Sequence, residues 1–128
     1  MWLKCLGDLI FPRRCEVCGR LLPVDVEYLC DNSLEDMPLT YYWDWPENPA
    51  EKKLWVRTYL HRVIPLFFYT RESRYITLIH KIKYQGKIGL GLYMGRLLGE
   101  KIKRALPDVD YIVSVPLHPL RKWRRGYN

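Results

Sequence analysis

Along this chain apolar residues fall at helical intervals in some stretches and in unbroken runs in others. Positions 2, 3, 6, 9 and 10 would give a short helix one sticky face, closed by Pro12. Ile76, Ile79, Ile82 and Lys83 near one face predict a second helix from Arg74 to about Tyr84, with Ser73 as its N-cap and Gln85-Gly86 as its stop. Leu90, Met94, Leu97, Leu98, Ile102 and Ala105 predict a third, from Lys87 to Leu106, ended by Pro107. Gly91, Gly95 and Gly99 recur every four residues in that helix. Each costs up to about 1 kcal/mol of helix propensity against alanine, so the stripe calls for close packing in compensation.

The unbroken runs read differently. Val63 to Tyr69 is β-branched and aromatic and predicts a strand, at a sheet edge because of Pro65. Tyr111-Ile-Val-Ser-Val115 predicts a strand buried on both faces, as in a parallel sheet. A helix followed by a buried strand predicts an α/β fold. Residues 13–38 are polar, cysteine-bearing and broken by Gly19, Pro23 and Pro38, as in a loop-dominated knuckle. Thr40 to Glu51, with two prolines and no sustained period, reads as an irregular connector. The expected division is therefore an N-terminal helix and knuckle over 1–39, a connector over 40–62 and an α/β unit over 63–128.

A chain of 128 residues with 48% apolar and 14% aromatic side chains can build a core, which excludes a disordered or low-complexity protein. Its apolar runs fall short of the roughly 20 residues that cross a membrane. Met1 to Phe11 lacks the basic segment and the small-residue cleavage site of a secretion signal, so the expected compartment is the cytoplasm. There, four cysteines are thiols or metal ligands before they are disulfides. The net charge of +7 is unevenly spread, with 6 basic and 10 acidic residues up to position 56 and 15 basic and 4 acidic beyond it. A basic half of that kind suits phosphate-bearing partners: nucleic acid, a nucleotide or a phosphorylated sugar. The alternative is a solvated, lysine-rich helix face.

Two clusters carry candidate chemistry. In Cys15-Glu-Val-Cys18-Gly the two-residue spacer lets both sulfurs point at one ion, and Cys30 follows eleven intervening residues later. A second two-spacer pair would end at position 33, where this chain has Ser33, whose hydroxyl stays protonated near neutral pH and is a poor zinc ligand. Cys5, Asp31 or water could complete the site; the alternative is a core of reduced cysteines without metal. The second cluster follows the expected buried strand. Arg121, Lys122, Arg124 and Arg125 precede Gly126-Tyr127-Asn128. Arginine forks and a glycine that admits backbone amides suit a phosphate or diphosphate at the carboxyl edge of a sheet. The competing reading is a solvated basic tail. His118, between prolines, has no carboxylate partner in sight, and no catalytic triad order, Walker loop or dinucleotide fingerprint is present, so no catalytic residue is assigned.

Taken together, Phe-Pro-Arg-Arg-Cys-x-x-Cys-Gly near the start, Leu-Cys at 29 and 30, Phe-Phe-Tyr at 67 to 69, Leu-Ile-His-Lys-Ile-Lys-Tyr-Gln-Gly at 78 to 86, and Val-Pro-Leu-His-Pro with Arg-Arg-Gly-Tyr-Asn at 115 to 128 resemble the ComF family of competence-associated, phosphoribosyltransferase-like proteins. The resemblance implies a zinc knuckle followed by the first part of a type I phosphoribosyltransferase-like α/β domain, and a role in DNA uptake. It implies Cys15, Cys18 and Cys30 as zinc ligands, with Ser33 where the family has its fourth cysteine. It also implies Arg121, Arg124, Arg125, Gly126, Tyr127 and Asn128 as the diphosphate loop. In the full-length family magnesium accompanies phosphoribosyl diphosphate. Measured against the family, the sequence stops before the motif that holds the ribose phosphate, so the expectation is an incomplete catalytic site. The expected partners are phosphoribosyl diphosphate or diphosphate, single-stranded DNA, and other competence proteins.

Overall fold

In a computed structural model, residues 11–128 are described, and the helix expected over 2–10 and Cys5 lie outside them. Five helices follow one another: α1 (Asp31–Glu35), α2 (Pro49–Trp55), α3 (Ile76–Tyr84), α4 (Ile88–Ala105) and α5 (Pro119–Arg125). Helices α3 and α4 pack together across a three-residue turn, and Leu78, Leu90 and Met94 from this pair are buried in one cluster with Cys15, Leu29, Met37 and Tyr75. The knuckle and the helix pair therefore share apolar contacts, because neither has enough buried side chains to exclude water alone.

Periodicity located α3 and α4 to within two residues at each end. Helix α3 begins at Ile76 rather than Arg74, because Ser73 is spent on a turn: its backbone carbonyl accepts from Ile76 N at 3.1 Å and its hydroxyl from Tyr75 N at 3.3 Å. The glycine stripe of α4 is closely packed only at Gly91, where an added Cβ would meet Ile82 at 3.4 Å. Gly95 and Gly99 face open space, and the close approach falls instead at Gly89, where a Cβ would collide with the Tyr28 hydroxyl.

The α/β expectation is not met among the described residues, which form almost no sheet. The predicted strand over 63–69 makes one antiparallel bridge, Leu39 with Phe67, flanked by Thr40 N to Leu66 O at 3.2 Å and Phe68 N to Pro38 O at 2.8 Å. The predicted buried strand over 111–115 is irregular and open to solvent, with Ile112 96% exposed. A β-branched run becomes a strand only by exchanging hydrogen bonds with a neighbour, and none of the described residues offers it one.

Where an irregular connector was expected, a short helix is clamped in place. Asn48 caps α2 by accepting from Ala50 N and Glu51 N at 3.0 and 3.1 Å, while the Glu51 carboxylate takes Asn48 N at 3.2 Å, completing a reciprocal capping box behind Pro49. Glu51 is only 1% exposed, yet it is saturated: it also accepts from Arg62 Nε at 3.1 Å, Val63 N at 3.2 Å and Asn48 Nδ2 at 2.8 Å. Arg62 in turn donates to the carbonyls of Tyr42 and Trp43. Glu51→Ala, which strands Arg62 without its counter-charge, is expected to lower unfolding free energy by about 3 to 5 kcal/mol, and Asn48→Ala by about 1 to 2 kcal/mol, in urea denaturation. A loss under about 1 kcal/mol for Glu51→Ala would show that water replaces the clamp.

Candidate metal centre and basic cavity

The cysteine loop is shaped by its backbone. An antiparallel bridge between Arg14 and Leu21, with Cys15 N bonded to Arg20 O at 2.7 Å and Gly19 N to Cys15 O at 2.9 Å, folds Cys15 and Cys18 onto the same side. Gly19 takes φ of +73°, a left-handed turn that a side chain would strain. Cys30 is the N-cap residue of α1 and Ser33 lies one turn into it, an i, i+3 pair that faces one way. The three sulfurs lie within 4.8 Å of one another, close enough to hold one metal ion.

Ser33 lies against two of the three sulfurs. Its Oγ is 3.3 Å from both Cys15 Sγ and Cys30 Sγ, and Cys18 Sγ is 3.5 Å from Cys30 Sγ. A tetrahedron with metal–sulfur bonds of about 2.3 Å has edges of about 3.8 Å, so these separations are near those between ligands of one tetrahedral ion. Ser33 is 2% exposed, and its carbonyl accepts from the Tyr75 hydroxyl at 2.9 Å, which fixes this residue against α3. Asp31, the carboxylate considered as fourth ligand, is exposed and outside the cluster.

The electrostatics favour thiolate. Burial pushes the Cys15 thiol up, but backbone hydrogen bonding at Cys18, the Ser33 hydroxyl, and further backbone bonding at Cys30 and Val17 bring it down to about 6. A group whose pKa is lower folded than unfolded stabilises the fold above its unfolded value and loses that contribution as pH falls through its folded value. For Cys15 the contribution is complete near pH 9 and disappears below about pH 6.

The basic residues assemble a second site. A cavity of about 490 Å³ is lined by Arg121, Arg124, Arg125 and Tyr127 on one side and by Lys83, Tyr84 and Gly86 at the end of α3 on the other. The Tyr127 hydroxyl donates to the Ile82 carbonyl and pins the two walls together. The cations sit on α5, a helix where a loop was expected. Its signals were Pro119 at the first turn and Gly126 just past the end, where a φ of +80° and a bond from Gly126 N to Lys122 O at 2.8 Å stop the helix. The Gly126 amide is thus committed to its helix. Asn128 is turned away from the cavity: its amide nitrogen donates to Ser114 Oγ and Val115 O, and its oxygen accepts from Leu117 N. His118 is the N-cap residue of α5 and makes no side-chain cap bond. Lys83 was not singled out as a binding residue, although its place one residue before the Tyr-Gln-Gly stop set it at the mouth of the α3–α4 turn.

Compared with known proteins, the chain is 39% identical over 56 residues to the DNA utilization protein YhgH of Salmonella typhi, an alignment covering 40% of this chain and 25% of the relative. The chain thus matches about a quarter of that curated relative's length. No family model matches it, and no solved structure does. Among the described residues no helix is long and apolar enough to cross a membrane.

Two measurements test the metal centre. Thiolate absorbance near 240 nm in the metal-free protein should show its first titration at about pH 6 and lose it in Cys15→Ser, whereas a first midpoint above pH 8 would contradict the local hydrogen bonding. Ser33→Cys should raise zinc affinity by more than about tenfold in competition with a chromogenic chelator, since a thiolate replaces a neutral donor. Unchanged affinity would place the fourth ligand elsewhere, with Cys5 the first to replace.

Proposed function

We propose that the chain is a ComF-like protein of DNA utilisation or uptake that binds a phosphate or diphosphate group in the basic cavity, with a structural zinc held by Cys15, Cys18 and Cys30. The observation that carries this reading is the convergence of Lys83, Arg121, Arg124 and Arg125 around one cavity with no acidic side chain in its lining. Four cations so close repel one another, and a bound anion relieves that repulsion while arginine supplies a fork matched to phosphate oxygens. The relative's name, DNA utilization protein, supports the biological setting. The family resemblance adds phosphoribosyl diphosphate as the fuller form of the ligand.

A second reading has its own support. Tyr84 is 76% exposed at the cavity wall and Trp123, on α5 between two cations, is 85% exposed. Exposed aromatic faces beside a basic site suit the stacked bases and phosphates of single-stranded DNA. Competition separates the two ligands: binding centred on diphosphate should be displaced by free diphosphate with little dependence on oligonucleotide length, whereas strand binding should strengthen with length and fall steeply with salt.

A charge-assisted arginine hydrogen bond contributes about 1.5 to 3 kcal/mol. Arg125→Ala should therefore weaken diphosphate binding by about tenfold or more in calorimetric titration. Lys83→Ala should weaken it as well, because the site has two walls. Binding that survives the loss of Arg121, Arg124 and Arg125 together would show the cations to be a solvated surface.

A further inference from the structure

The loop that carries Cys15 and Cys18 also carries Glu16, and Glu16 reaches the helices that wall the cavity. One carboxylate oxygen accepts from Lys81 Nζ at 2.8 Å and the other from Lys87 Nζ at 3.0 Å, while the Glu16 backbone carbonyl takes a second bond from Lys81 Nζ at 2.8 Å. The backbone amide of Glu16 is fixed too, bonded to Tyr28 O at 2.9 Å. The carboxylate is 13% exposed and Lys81 27%, so that pair is shielded from water, while the Lys87 side chain, 47% exposed, closes the cluster from the solvent side. Burial alone would raise its pKa, but the hydrogen bonds and charges of Lys81 and Lys87 hold it below the usual carboxylate range. Lys81 and Lys87 bracket the segment 83–86, whose Lys83, Tyr84 and Gly86 form one wall of the basic cavity.

We propose that Glu16 is a positioning residue that couples the cysteine cluster to the basic cavity, so that metal bound at one site and anion bound at the other favour each other. The inference rests on reading the cluster as a metal site and the cavity as an anion site, and adds the link between them. The physical chain is short. A metal ion that ties Cys15 to Cys18 fixes the backbone of the residue after Cys15. That backbone aims a carboxylate at two lysines, and the lysines hold the end of α3 and the start of α4 across their turn. Without metal the cysteine loop explores more conformations, the bridges are intermittently lost, and the wall bearing Lys83 is no longer held in the geometry that faces Arg121 and Arg125. Coupling of this kind is reciprocal: diphosphate must raise metal affinity by the factor by which metal raises diphosphate affinity.

Diphosphate titration of zinc-loaded and chelator-stripped protein, in the original chain and in Glu16→Gln, tests the link. In the original chain zinc should tighten diphosphate binding by about fivefold or more. In Glu16→Gln the ratio between the two metal states should fall close to one. The negative charge that this substitution removes acts on the anion in both metal states, so it cancels in the ratio, which is why the ratio and not the absolute affinity is the readout. Amide hydrogen exchange at residues 83–87 gives a second readout with no anion present. It should quicken on zinc removal in the original chain, and in Glu16→Gln it should be fast even with zinc bound. Diphosphate affinity and exchange at 83–87 both indifferent to zinc would overturn the coupling. If diphosphate fails to bind any form, the anion reading falls and the exchange data alone decide the link. If stripping zinc unfolds the chain, the zinc-loaded comparison of exchange decides it, and slow exchange in Glu16→Gln counts against the proposal.

Discussion

Cys15 stands at the junction on which the described fold depends. Its side chain is 3% exposed and packs in the cluster that contains Leu29, Leu78, Leu90 and Met94, while its sulfur is one of the three that converge beside Ser33. One side chain thus belongs to both the apolar core and the cluster that could hold a metal ion. With few fully buried side chains among the described residues there is little hydrophobic stabilisation to spare, and small cores of this kind are commonly completed by a metal or another cross-link. Oxidising or displacing that sulfur would disturb the core packing and the sulfur cluster together, which makes the knuckle part of the helical core's stability and not an ornament upon it.

The elements that could be read from the sequence were those whose signal is repeated. Helix α4 extends over 18 residues and turns the same apolar face inward several times, so its period was plain. Helices α2 and α5 have seven residues each, too short for a period, and their evidence lies wholly at their ends. Asn48-Pro49-Ala50-Glu51 is a capping box behind a first-turn proline, and Pro119 with Gly126 frames α5. Both signals are in the residue order, but in the connector the prolines count against a helix although Pro49 starts one, and the cations and glycine of the second segment suggest a loop. The strand readings went wrong for a different reason. A run such as Tyr111 to Val115 states a local preference, while a strand is a relation between two segments, and the second segment is not stated locally.

The candidate sites were legible to unequal depth. The two-residue spacer pointed to Cys15 and Cys18, and the same spacing logic pointed to position 33, where Ser33 Oγ lies 3.3 Å from two of the three sulfurs. Spacing worked there because the ligands lie on tight local turns. The basic cavity is non-local: Lys83 and Arg121 are far apart in the chain, and they meet because the fold sets α5 beside the end of α3, where Tyr127 bonds Ile82. Charge counting could say that the second half is basic, but not which of its cations share one space.

Three lysines crowd the α3–α4 turn, at 81, 83 and 87, and the knuckle supplies one acidic side chain to them. Glu16 takes Lys81 and Lys87, one on each carboxylate oxygen, and leaves Lys83 to the cavity. The partition follows from helical geometry, since residues 81 and 83 project on different faces of α3 while Lys87 begins the chain's return. The shared carboxylate cancels one of the Lys81 and Lys87 charges and attracts both ammonium groups, which eases the closing of the turn, for three ammonium groups this near with no counter-charge would push the helix ends apart. The third stays unpaired where Arg121, Arg124 and Arg125 add their charge, and it is there that positive potential accumulates. A single carboxylate placed by the cysteine loop therefore decides which lysines are held in the fold and which is left facing the cavity.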